Sequence, residues 1–290
     1  MLSGAIALVI VVSTTVAARQ KAGEPELATV LQRVGDSVAR YFARAQSLVC
    51  LESVTLIPFG GTGLEAMSRE VESELSLAWS AASERERAGD IQMLRQVLRV
   101  NGRPPRPNDP RDCTTPEQNA TETAPLSMLL PESRERYRFT LAGTRRLRDK
   151  QAVLVDFVEK ARAKVASTLV PGKDDCISYT VDGGSRGRLW IDIDSYDVLR
   201  LEQHVGGMID IPLPRELARR SSSLTALTLD RADTTIDFQP VTFSDPDEVL
   251  VLPVSVVEVR ETRGGGTPRL RTTTEYTDYR RFLTGTRIVR

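Results

Sequence analysis

The chain has 290 residues, with 39 Lys plus Arg against 39 Asp plus Glu, so its formal net charge is zero. A balanced chain lacks the concentrated basic field that nucleic acid requires, and aromatic residues at 5% leave little for base stacking. A single histidine, His204, argues against His-based zinc sites and leaves one candidate base for a nucleophilic triad.

Residues 1–18, MLSGAIALVIVVSTTVAA, open the chain with an apolar run from Ala5 to Val12 and a small-residue end at Val16-Ala17-Ala18. That is the pattern of a secretory signal cleaved after Ala18, although no Lys or Arg precedes the run. An uncleaved membrane anchor is the alternative, marginal in length for spanning a bilayer. The expected location is periplasmic or otherwise exported.

Pro25 to Gln46 is the clearest helix. Leu27, Val30, Leu31, Val34, Val38, Phe42 and Ala45 recur every three or four residues and form one apolar stripe, with charges on the other face. Beyond it the period changes to two. Strands are expected at 48–56, 70–79, 91–100, 136–142, 152–159, 187–193, 198–204, 232–242, 251–262 and 269–281, about ten in all, joined mainly antiparallel. Two polar inserts interrupt them, at 102–125 and 161–184. The first is rich in Pro, Asp, Asn and Thr and reads as a long surface loop. Gly264-Gly265-Gly266 marks the final hairpin turn.

Three cysteines, Cys50, Cys113 and Cys176, fit no metal-ligand spacing. Cys50 lies in an apolar strand and reads as a small core residue. Cys113 and Cys176 both lie in polar stretches, and a disulfide between them suits an oxidising compartment.

The other candidates for chemistry each lack a partner. Asp192, Asp194 and Asp197 line a turn, with no glycine or distal Glu to complete a calcium loop. His204 near Ser221, Ser222 and Ser223 has no G-x-S-x-G elbow beside it. Glu70, Glu72 and Glu74 read as the wet face of a strand, and Arg145, Arg146, Arg148 and Lys150 as a basic hairpin tip. No catalytic residue, metal or cofactor is expected.

The stretch from Gly187 to Glu202, GRLWIDIDSYDVLRLE, follows a secretion signal, one amphipathic helix and a meander of strands. In that order it resembles the periplasmic lipoprotein carrier and lipoprotein-sorting (LolA-like) superfamily, over about residues 25–285. The resemblance implies a mostly β, α+β fold, in which one domain forms an incomplete antiparallel β-barrel packed on the N-terminal helix. It also implies a non-enzymatic protein that binds lipid, lipoprotein acyl chains or another apolar ligand. Leu31, Val38 and Phe42 on the helix, with Leu75, Leu77 and Trp79 on the sheet, are the expected cavity lining. The alternative is an envelope protein-protein interaction or sensor domain without bound lipid, making contact through residues 102–125.

Overall fold

The computed structural model describes residues 26–45, 48–59, 68–79, 90–109, 119–123, 125–170, 176–220, 225–264 and 269–281. The signal or anchor reading of residues 1–18 lies outside them, as do Cys113, Ser221 to Ser223 and the Gly265-Gly266 part of the last turn.

Helix α1 spans Leu27–Arg44 and buries Val30, Val34, Gly35, Ser37 and Val38 along one side, as its apolar stripe requires. The strands that follow are β1 (Leu48–Phe59), β2 (Arg69–Trp79), β3 (Asp90–Val100) and β4 (Asn119–Thr123). A 3-10 turn at Pro125–Leu129 and a one-turn helix α2 (Pro131–Arg134) lead to β5 (Tyr137–Leu147) and β6 (Lys150–Glu159). Then come β7 (Lys164–Leu169), β8 (Ile177–Asp182), β9 (Ser185–Asp192), β10 (Val198–Pro212) and helix α3 (Arg215–Arg220). The chain closes with β11 (Ala226–Ser244), β12 (Asp247–Arg263) and β13 (Arg269–Arg281).

Eleven strands form one antiparallel sheet in the order β4-β3-β2-β1-β13-β12-β11-β10-β9-β6-β5, and β7 pairs with β8 in a separate two-stranded sheet. Because β1 pairs with β13, the first and last strands meet inside the sheet, and β4 and β5 are its two free edges. The fold is therefore mostly β, a large antiparallel sheet that does not close. The chain crosses from one edge to the other through residues 125–136.

Both polar inserts carry more regular structure than their composition announces. Within 102–125, Asn119–Thr123 pairs with β3 as an edge strand. Within 161–184, β7 and β8 form a hairpin that packs Val165, Ile177, Tyr179 and Val181 on Ile211, Leu227 and Leu229. The reading of 102–125 as a featureless loop is corrected by that edge strand. Its residues, NATET, have no apolar alternation because an edge strand needs only one partner's hydrogen bonds.

The largest apolar cluster lies under α1. Val30, Val34 and Val38 meet Leu126, Met128 and Leu129 of the crossing segment, and these pack on Phe139, Val155, Phe157, Leu189, Leu201 and Ile236 of the sheet. Two glycines permit this density. A Cβ at Gly35 would lie 2.9 Å from the Leu129 carbonyl oxygen, so α1 and the crossing segment touch there backbone to backbone. At Gly187 it would lie 2.8 Å from the Phe157 ring and collide with the backbone of Glu202.

Candidate functional site: a cleft beside the N-terminal helix

Two side chains fasten α1 to the β9–β10 turn. The Ser37 hydroxyl donates to Asp197 Oδ1 at 2.6 Å. The Arg33 guanidinium lies 5.0 Å from the centre of the Tyr196 ring and donates to its hydroxyl at 3.3 Å. Tyr196 sits at φ 60°, held in the turn by the hydrogen bond its backbone N–H donates to the Asp192 carbonyl at 3.0 Å. Two of the three aspartate carboxylates of this turn are thus occupied locally, and Asp194 takes part through its backbone amide. Asp192 Oδ1 accepts the Asp194 amide at 3.0 Å, its other oxygen pairs with Lys150, and Asp197 binds α1. Burial alone would raise the Asp192 carboxyl, but the Lys150 ammonium and the Asp194 amide hold it below its ordinary value.

Beside this anchor, a cleft of about 290 Å³ opens between the C-terminal half of α1 and strands β10, β11 and β12. Its buried lining holds Val38, Leu126, Val198, Phe238 and Leu250, with Ser37 as the buried polar residue among them. Arg40 and Arg44, both exposed, stand on its helix side. Val249 forms a lip that is 54% exposed. Deeper along α1, burial pushes the Tyr41 phenol up.

The six residues expected to line one cavity are divided. Val38 lines the cleft, while Leu31 and Phe42 pack half-buried against the cluster under α1. Leu75 lies elsewhere on the sheet, fully buried with Cys50 and Met93. Leu77 bridges that group and the cluster of Ala45, Leu48, Phe243, Leu250 and Leu252. Trp79 ends β2, and its side chain lies outside the described residues. Phe238 and Leu250 of the cleft sit on strands that the sequence pattern identifies, but pattern alone does not say which strand α1 will cover. Leu126 is the residue for which a signal existed, the apolar run Leu126-Ser-Met-Leu-Leu130 directly after a Pro-rich stretch.

The remaining candidates have structural surroundings. His204 Nδ1 lies 2.8 Å from Asp233 Oδ1 on neighbouring strands, and Arg231 pairs with the same carboxylate. Cys50 is free and fully buried. Burial, with the Glu52 carboxylate beside it, pushes its thiol up to about 12, so it stays protonated and unreactive at neutral pH. Cys176 is disulfide-bonded. Of the glutamate row, Glu72 pairs with Arg99 at 3.2 Å and Glu74 with Arg280 at 3.0 Å. Arg148 of the basic hairpin tip reaches Asp237 at 3.2 Å. Among the described residues no helix is long and apolar enough to cross a membrane.

No family model matches this sequence, and no curated protein does. Several solved structures are similar in overall shape. One, described as an outer-membrane lipoprotein-sorting protein domain from Vibrio parahaemolyticus, is 12% identical, covers 89% of this chain and 94% of its own, and superposes with a TM-score of 0.42. A DUF1329 family protein from Desulfovibrio piger is 8% identical over 89% and 94%, with a TM-score of 0.41. A LolA superfamily protein from Nitrosomonas europaea is 10% identical over 90% and 97%, with a TM-score of 0.34.

Proposed function

We propose that this chain is an exported, non-enzymatic binding protein that shelters the apolar part of an amphiphile in the cleft beside α1. A lipid or lipoprotein acyl chain is the leading class of ligand. One observation carries this reading: the cleft sets buried Val38, Leu126, Phe238 and Leu250 against exposed Arg40 and Arg44. The apolar lining supplies affinity at roughly 25 cal/mol per Å² removed from water. The guanidinium groups suit an anionic headgroup at the mouth. The volume, about 290 Å³, sits at the lower end of ligand pockets, which suits the end of one chain rather than a whole lipid.

Export belongs to the same proposal and rests on residues 1–18. A Cys113–Cys176 bond belongs to the same proposal, is supported by the bonded state of Cys176, and suits an oxidising compartment.

The test is titration of dansyl-undecanoic acid into the full chain, read by the rise in dansyl fluorescence. Saturable binding is expected, weakened about tenfold by Val249→Asp at the exposed lip and less by Arg40→Ala with Arg44→Ala. Absence of saturable binding, or equal affinity in all three proteins, would overturn the proposal.

A second reading, an envelope protein-contact module, is favoured by the open edge of the sheet. β5 is an 11-residue edge strand that a partner's strand can extend. Capture of an envelope protein by lipid-free material, abolished by a proline at Thr140 in that strand, would support it over the first.

A further inference from the structure

Two further clefts lie beside the β7–β8 hairpin, one against strands β10 to β12 and the other against β6, β9, β10 and residues Ser127 and Met128 of the crossing segment. One has a volume of about 290 Å³ and the other about 190 Å³. They share Val181, Gln203 and Val205, so they meet at these residues as two parts of a groove along the hairpin.

The polar groups along this groove are positioned before any ligand arrives. Glu159, whose side chain is 4% exposed, accepts from Arg136 at 3.0 Å through one oxygen and from the Ser185 hydroxyl at 2.8 Å through the other. The same Arg136 nitrogen reaches Asp182 at 3.1 Å. The Tyr137 phenol stands beside them, raised by burial. At the far end Arg260 faces Glu258 at 3.4 Å. Gln203 lies at the junction, half-buried, and its side-chain amide has no hydrogen-bond partner among the described residues.

Charge narrows the ligand. The charges along both clefts are already paired: Arg136 with Glu159 and Asp182, Arg260 with Glu258, and Asp233 with Arg231 and His204. An anion would find both guanidinium groups already engaged by carboxylates. A cation would find Glu159, Asp182, Glu258 and Asp233 already engaged by Arg136, Arg260 and Arg231. Each station instead offers a donor beside an acceptor, which is the complement of a hydroxyl, itself one donor and two acceptors. Val181 and Val205 give the apolar surface on which the carbon face of a sugar ring rests.

We infer that this groove is a binding site for a neutral, hydroxyl-rich ligand of the saccharide class, distinct from the cleft beside α1. Gln203 is its central hydrogen-bonding residue and Arg136 its charged anchor. The test is isothermal titration calorimetry of the full chain with maltose, cellobiose and N,N′-diacetylchitobiose, with spermidine and sulfate as charged comparators. Saturable binding of at least one disaccharide is expected. It should weaken about tenfold in Gln203→Ala, whose thermal midpoint should stay at the parent value, and in Arg136→Gln, but not in Val249→Asp. Gln203→Ala decides the matter if Arg136→Gln fails to fold. No heat from any disaccharide, binding of spermidine or sulfate alone, or unchanged affinity in Gln203→Ala would overturn the inference.

Discussion

Under α1, strands β5, β6 and β9 to β11 present Phe139, Val155, Phe157, Leu189 and Leu201 as one continuous apolar cluster. The inner face of β1 to β3 is built differently: Glu52 and Arg95 lie among Cys50, Leu75 and Met93. That ion pair is bidentate, at 2.7 and 3.1 Å, with side-chain exposures of 1% for Glu52 and 11% for Arg95. Both halves belong to one sheet, yet one is held by removing carbon from water and the other surrounds a buried charge pair. Buried pairs are expensive to desolvate and costly to break, so the second half gains more in specificity of pairing than in stability.

Truncation sharpens the contrast. Phe157→Ala, at a ring 1% exposed in the centre of the α1 cluster, is expected to cost about 3–5 kcal/mol in urea unfolding. Glu52→Ala should cost nearly as much, roughly 3 kcal/mol, because it leaves Arg95 buried without its carboxylate. The two halves then part company. Replacing the pair together, Glu52→Leu with Arg95→Met, should recover most of that loss, whereas no second substitution restores the volume of Phe157.

A smaller effect tests the turn that holds α1. The Asp192 carboxyl is lowered in the folded state, so its contribution is present above about pH 4 and is lost as pH falls through the folded value. Thermal midpoints measured between about pH 5 and pH 2 should therefore fall less steeply in Asp192→Asn than in the parent. Smallest of all is the surface pair Glu72–Arg99. Glu72→Ala should change stability by less than about 1 kcal/mol, and that change should shrink further in high salt.

Most of the sheet was legible because half-buried strands alternate, and the stripe of α1 repeats at 3.6 residues. The ten strands with apolar alternation all lie in the large sheet. β4, β7 and β8 escaped because they sit in polar surroundings, although Val165, Ser167 and Leu169 on β7 and Ile177, Tyr179 and Val181 on β8 do alternate. The cleft was less legible than the fold. Periodicity shows which face of a strand is apolar, but not which strands a helix will cover, and Val38 lines the cleft while Leu31, Phe42, Leu75 and Leu77 pack in the surrounding clusters. The Glu159–Arg136–Ser185 group gave no sequence signal, because three polar residues on β6, before β5 and on β9 meet only through strand order.

The central proposal, an exported protein carrying an apolar chain beside α1, is tested most directly by native mass spectrometry of the full-length product recovered from the cell envelope. The expected spectrum shows a chain beginning at Arg19, two mass units lighter for one Cys113–Cys176 bond, with a noncovalent adduct in the lipid mass range that Val249→Asp diminishes. Ligand-free protein in the envelope, or an adduct that Val249→Asp leaves untouched, would contradict the account.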